Sequence, residues 1–200
     1  TFLISEAKLE ELTRAADPSL DWGTRFQDYR ISLYVSGGDK TKRQEAINKL
    51  RGMTGRERVV EGDKSALGIL VEELKERGET ISCAESCTGG LAASNLTSLP
   101  GSSSYMMGSV TSYFLSVKEK VLGVKKETLE EYGAVSEECA LEMADGVRRV
   151  ISSDWAFSIT GVAGPDKSEG KEVGTVCLGF SGKDRESVAV TIHLFSFGRE

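Results

Sequence analysis

Apolar residues recur along the chain at two periods, and the switching between them outlines the fold. From Phe2 to Ala16 they fall at helical spacing (Leu3, Ile4, Ala7, Leu9, Leu12, Ala15), and Asp17-Pro18 ends the run, which predicts a helix. Arg30–Ser36 alternates Ile31, Leu33 and Val35 as a strand does, before a Gly37-Gly38-Asp39 turn. Thr41–Leu50 reads as a second helix with Gly52 just past its end, and ERVVE (57–61) reads as a short strand. Lys64–Arg77 then places Leu67, Leu70, Val71 and Leu74 on one helix face, with Asp63 as a candidate cap and Gly78 as a stop. Further on, the pattern predicts strands at Thr80–Ala84 and Ser109–Tyr113, and helices at Gly89–Leu99, around Val117–Leu122 and at Ser136–Ile151. Three more strands follow, near Trp155–Thr160, Gly174–Phe180 and Ser187–Phe195. Glu137 and Glu138 sit in the first turn of the long helix, where the macrodipole favours acids. The expected class is α/β: a three-layer α/β/α domain with a mixed sheet covered by helices on both faces, preceded by a small α/β module.

Composition narrows the function classes. The chain has 200 residues, 39% hydrophobic and 28% charged, and no apolar run approaches the roughly 20 residues of a membrane span, so a soluble protein is expected. It opens on Thr1 with no basic leader and apolar block, and reads as a piece of a longer chain. The four cysteines, Cys83, Cys87, Cys139 and Cys177, have no Cys/His ligand spacing; reduced thiols in a cytoplasmic protein are the expectation. His193 is the single histidine, which sets aside zinc sites and Ser-His-Asp triads. The net charge of −6 argues against a general nucleic-acid binder, but it is uneven: residues 1–62 carry 11 Lys/Arg against 10 Asp/Glu, and the remainder 14 against 21. That step predicts a domain boundary near Asp63, dividing the chain into 1–62 and 63–200.

Candidate chemistry gathers at strand ends. In ISCAESCTGGLAA (81–93) a strand runs into Ser86 and then into a helix opened by Gly89-Gly90, so free N–H groups there favour negative charge. Ser86 would need a base, and without an available histidine a lysine of lowered pKa is the candidate. The alternative is a cap at Ser86 or Thr88 with glycines for packing. Thr160-Gly161-Val162-Ala163-Gly164-Pro165 follows another apolar strand, and its small residues would let a ligand approach the backbone, with Lys167 and Lys171 nearby; otherwise it is a long connection. Tyr113 and Lys118 lie where a third strand gives way to a helix, facing one cleft or simply packed at the surface. Gly52-Met53-Thr54-Gly55 fits a KH-type GxxG, and residues 40–58 hold seven Lys/Arg against two Glu, which keeps RNA binding as a further alternative.

Six blocks in order, AESCTGGLAA (84–93), LPGSS (99–103), LGV (122–124), GAVSEE (133–138), ITGVAGP (159–165) and VGTV (173–176), together resemble the C-terminal domain of the CinA family. These are the competence/damage-inducible proteins, whose members include nicotinamide mononucleotide deamidases. WGTRFQDYRISLYV (22–35) and GRERVVEGD (55–63) resemble the small KH-like domain that precedes it in longer members. Nothing in the chain resembles the molybdopterin-biosynthesis-like domain with which those members begin. The resemblance implies catalytic roles for Ser86, Tyr113 and Lys118, and a substrate site at Thr160, Gly161, Ala163, Gly164 and Arg199. Lys118 would draw the proton from Ser86, Ser86 would attack the carboxamide of nicotinamide mononucleotide, and N–H groups near Thr88, Gly89 and Gly90 would hold the oxyanion. It implies no metal, no organic cofactor and no membrane partner, and self-association as a homo-oligomer. The chain departs from the family at Leu115 and Ser116, where members commonly carry Asn and Glu, and it stops at Glu200, where members usually continue into a helix. A member that binds a nucleotide without turning it over is therefore the rival to a deamidase.

Overall fold

A computed structural model describes residues 4–27, 30–55, 58–62 and 65–194, which form two compact units, 1–70 and 71–200. The first contains helix α1 (Glu6–Ala16), strands β1 (Asp21–Gln27) and β2 (Arg30–Ser36), and helix α2 (Lys40–Thr54). α1 starts at Glu6 because Ser5 caps it, its hydroxyl accepting the Lys8 N–H at 3.3 Å. β1 is an element that the apolar pattern missed: Trp22 and Phe26 are its only strongly apolar residues. It nonetheless pairs antiparallel with β2, Trp22 opposite Val35 and Thr24 opposite Leu33. Leu9, Ala16, Ile31 and Leu50 form the core together with Val59.

Two expectations are corrected in this unit. Among the described residues, 58–62 form no strand; Val59 is buried in the core but pairs with nothing, and the chain turns at Gly62 (φ +89°). α2 also runs past its expected end at Leu50: Gly52 lies inside it, and Gly55 at φ +95° ends it, returning its N–H to Arg51 O at 3.0 Å.

Helix α3 (Ala66–Arg77) crosses the division between Leu70 and Val71, whereas the charge step at Asp63 lies outside the described residues. The second unit continues with β3 (Ile81–Glu85), α4 (Leu91–Thr97), β4 (Met106–Thr111) and a helical turn, α5 (Leu115–Val117). A single π-helical turn follows at Lys118–Leu122, then α6 (Lys126–Glu131), α7 (Glu137–Ile151), β5 (Trp155–Gly161), β6 (Thr175–Gly182) and β7 (Arg185–His193). α6 was not foreseen. The sheet has the order β4-β3-β5-β6-β7, its first three strands parallel and the last two antiparallel, a mixed sheet. Phe195, the expected end of the last strand, lies outside the described residues.

α7 covers one face. Cys139, Ala140, Met143, Ala144 and Val147 form its buried stripe, and Ser136 caps its start by accepting the Cys139 N–H at 3.1 Å. Two glycines set how closely it packs. A methyl at Gly179 would run into the Ala140 carbonyl oxygen and come within 2.7 Å of Ser158 Oγ, and one at Gly146 would run into the Leu122 carbonyl oxygen. α7 is thus pressed on β6 on one side and on the π-helical turn on the other. On the opposite face α4 lies over β3 and β4. Towards β6 and β7 that face is less covered, with Phe180 at 43% and Val188 at 58% exposure, so the third layer is complete only over part of the sheet.

Gly146→Ala should destabilise the domain by about 1–3 kcal/mol through overpacking, although alanine is the better helix former by about 1 kcal/mol. Urea unfolding at neutral pH measures it; an equal or higher midpoint would mean that α7 and the 118–122 turn are not in this close contact.

Candidate active site

β3, β4 and β5 run parallel, so their carboxyl ends lie along one edge of the sheet, where open α/β sheets collect ligands. Ser86 leaves β3 at this edge and its N–H donates to Ile159 O at 2.9 Å, which continues the ladder to β5 and fixes the start of the turn. The Ser112 N–H donates to Glu85 O at 2.7 Å and holds the end of β4 alongside. Lys118, the first residue of the π-helical turn, reaches back into this edge. Its Nζ donates to Ser86 Oγ at 3.0 Å and also to Ser112 O.

Lys118 is 1% exposed and makes no ion pair among the described residues. Burial lowers its pKa because the ammonium loses hydration; nearby Cys139, Cys87 and Glu169 act in the opposite direction without reversing the shift. The buried thiols of Cys83 and Cys139 are both pushed up to about 12, chiefly by desolvation, and so are protonated at neutral pH. All four cysteines are free thiols.

A cavity of about 260 Å³ joins Ser86 and Lys118 to Tyr113 on its rim and to Thr160, Gly161, Ala163 and Gly164 on its far wall. The structure therefore brings together the three strand-end segments that the sequence singled out separately. Tyr113 is 62% exposed. Thr160 is buried and contributes structure: its hydroxyl donates to Ala134 O at 2.8 Å, fastening β5 to the segment before α7. Gly161 is required by close approach, since a methyl there would lie 2.7 Å from Thr175 O. Arg199 lies outside the described residues. Six lining residues escaped the sequence reading: Cys87, Ala134, Val135, Asp166, Ser168 and Glu169. The GAVSEE block that holds Ala134 and Val135 was a usable signal; nothing about Glu169 was.

The expectation for Thr88, Gly89 and Gly90 needs correction. They do not line the cavity, and most of their turn's donors are engaged. The Gly89 N–H donates to Ser86 O, while Gly90, Ala92 and Ala93 give their N–H groups to the carboxylate of Glu85 at 3.1, 3.0 and 2.8 Å. The start of α4 does hold an anion, but the anion is the residue before the serine. Burial alone would push the Glu85 carboxyl up; these donors outweigh it and hold it below its ordinary value. Thr88 Oγ1 is close as well, but it forms no hydrogen bond of good geometry with any described group, so the backbone donors carry the effect.

A second cavity, about 550 Å³, lies beside the start of α7 and contains His193 and Cys177 but neither Ser86 nor Lys118. Among the described residues no cluster of His, Cys, Asp or Glu could hold a metal ion, and no helix is long and apolar enough to cross a membrane.

A mixed α/β domain carrying a serine paired with a buried lysine at the carboxyl ends of its parallel strands is the class that fold and site define. A profile of the CinA C-terminal domain matches residues 63–200, and the chain belongs to that family. It is 35% identical over 193 residues to a CinA-like protein of Pseudothermotoga lettingae, covering 94% of this chain and 48% of that protein. It is 44% identical over 133 residues to a CinA-like protein of Fervidobacterium nodosum, covering 66% of this chain and 33% of that one. The chain thus spans about half the length, or less, of these curated relatives. Among solved structures it resembles the competence/damage inducible protein CihA of Agrobacterium tumefaciens, with a TM-score of 0.63 and 36% identity, over 66% of this chain and 81% of that one. It also resembles a CinA superfamily protein of Escherichia coli, with a TM-score of 0.64 and 29% identity, over 71% and 86%.

Glu85→Gln should cost about 1–3 kcal/mol of stability at pH 7, because three N–H donors lose their carboxylate. A carboxyl held low in the folded state stabilises above its unfolded pKa of about 4.3, and that contribution disappears as pH falls through the folded value. Urea titrations at neutral and acid pH should therefore show the gap between wild type and variant closing on acidification. A gap that is constant with pH would mean that the Glu85 charge is not what α4 uses.

Proposed function

We propose that the chain is an amidohydrolase of nicotinamide mononucleotide, giving nicotinic acid mononucleotide and ammonia in cytoplasmic pyridine nucleotide salvage, with residues 63–200 as the catalytic domain and 1–62 as a KH-like accessory module. The observation that carries this reading is the 3.0 Å contact between the buried Lys118 amine and Ser86 Oγ. A lysine whose pKa is lowered by desolvation has a neutral fraction at working pH, and the neutral amine takes the Ser86 proton across this contact. Ser86 Oγ then attacks the carboxamide carbon, and the tetrahedral oxyanion forms. The proton held by Lys118 passes to the leaving nitrogen, the C–N bond breaks and ammonia departs. Water attacks the resulting ester with Lys118 again as base, which releases the acid and restores Ser86. Tyr113 offers a phenolic O–H to the same cavity, where it can donate to the oxyanion.

The replacements at Leu115 and Ser116 favour the rival, a nucleotide binder without turnover. Neither residue lines the cavity, and Leu115 is 46% exposed, which supports retention of chemistry.

Ammonia release from nicotinamide mononucleotide tests the reading, and Ser86→Ala and Lys118→Met should each lower it at least about a thousandfold without unfolding the chain. Turnover in either variant at the wild-type rate would sink the Ser-Lys scheme. Because the base must be neutral, kcat/KM should rise with pH as a single proton leaves Lys118, with an apparent pKa below the roughly 10.4 of free lysine. A rate that does not vary across that range would remove Lys118 as the base.

A further inference from the structure

The connection from β5 to β6 (162–174) forms one wall of the catalytic cavity, and it is fastened there by a carboxylate on backbone amides. Glu169 Oε1 accepts the Ala134 N–H and Oε2 accepts the Val135 N–H, each at 3.1 Å. Two successive N–H groups gripping the two oxygens of one anion form a fork suited to any bidentate oxyanion. The neighbourhood is shaped around this contact. Gly133 stands at φ +81°, and a methyl on it would collide with the Glu169 carboxylate. Glu169 itself is held at φ +51°, a left-handed conformation that non-glycine residues seldom adopt.

This wall is ill suited to an anionic substrate while Glu169 stays in place. Asp166 and Glu169 both line the cavity, and among its described lining residues Lys118 is the only cation. Glu169 also favours the protonated form of Lys118, which opposes its use as a base. Both difficulties are removed if the carboxylate leaves the fork and another anion takes its place.

We propose that Glu169 is an internal stand-in for the substrate's anionic group: a phosphate monoester displaces its carboxylate from the Ala134 and Val135 N–H groups, and the 162–174 connection opens as it does so. The identity of the anion rests on the deamidase reading; the fork and its occupant do not.

The test is equilibrium binding to the full chain in a Ser86→Ala background, with and without Glu169→Gln or Glu169→Ala. The probes are inorganic phosphate, nicotinamide mononucleotide and nicotinamide riboside, which lacks the phosphate. Removing a competing internal anion raises the binding-competent fraction, so phosphate and mononucleotide should bind about tenfold tighter, while the riboside is unchanged. Glu169→Gln keeps one amide oxygen for the fork and guards against a collapse of the connection that alanine would allow. Unchanged or weaker phosphate binding in both variants, or an equal gain for the riboside, overturns the proposal. Tighter phosphate binding in a chain whose wild type releases no ammonia would retain the subsite and discard the deamidase; ammonia release without the tightening would do the reverse.

Discussion

A lysine amine taken out of water is the constraint that organises this domain. Burying an unpaired ammonium is costly, and the cost is met partly by deprotonation and partly by two oxygen acceptors, Ser86 Oγ and Ser112 O. Both acceptors must be brought to Lys118 by separate strands, so the ends of β3 and β4 have to be in register, which the Ser112 N–H to Glu85 O bond ensures. Lys118 must in turn be pressed inward, which the Gly146 contact of α7 with Leu122 makes possible. The packing of the long helix and the chemistry at the sheet edge therefore depend on each other.

Two carboxylates complete this arrangement in the same way. Glu85 takes three N–H groups at the start of α4, and Glu169 takes two just before α7. Each supplies from within the chain the negative charge that amide clusters favour. They differ in burial: Glu85 is fully enclosed beneath its helix, whereas Glu169 is on an exposed connection. The first is part of the framework, and the second is placed where a soluble anion can compete with it.

Much of this was legible in the residues, for identifiable reasons. β2, β3, β5 and α7 carry strong periodic patterns, and all four appear within a few residues of their expected ends. The lone histidine left a lysine as the candidate base for Ser86, while the choice of Lys118 came from the resemblance to the CinA family. β1 was not legible because only Trp22 and Phe26 among its seven residues are strongly apolar, and it is held by pairing with β2 across the hairpin. The 57–61 segment misled because Val59 is apolar for the sake of a core contact rather than a sheet. At Gly89-Gly90 the sequence showed a helix start that wanted an anion, but not that Glu85 would fold under to be that anion, since the reach of a side chain is decided by tertiary geometry.

The π-helical turn at Lys118–Leu122 also sets the phase of the chain around the lysine. Such a turn is an α-helix that has accepted one additional residue, and the insertion shifts the phase of everything before it relative to everything after. Here it falls between the short α5 turn and the Leu122–Val124 core segment, so the surface residues of 114–117 and the packed residues of 122–124 are out of step with one another. A change of side chain in the outer stretch, for example at the half-exposed Leu115, therefore need not turn the lysine away from its partner.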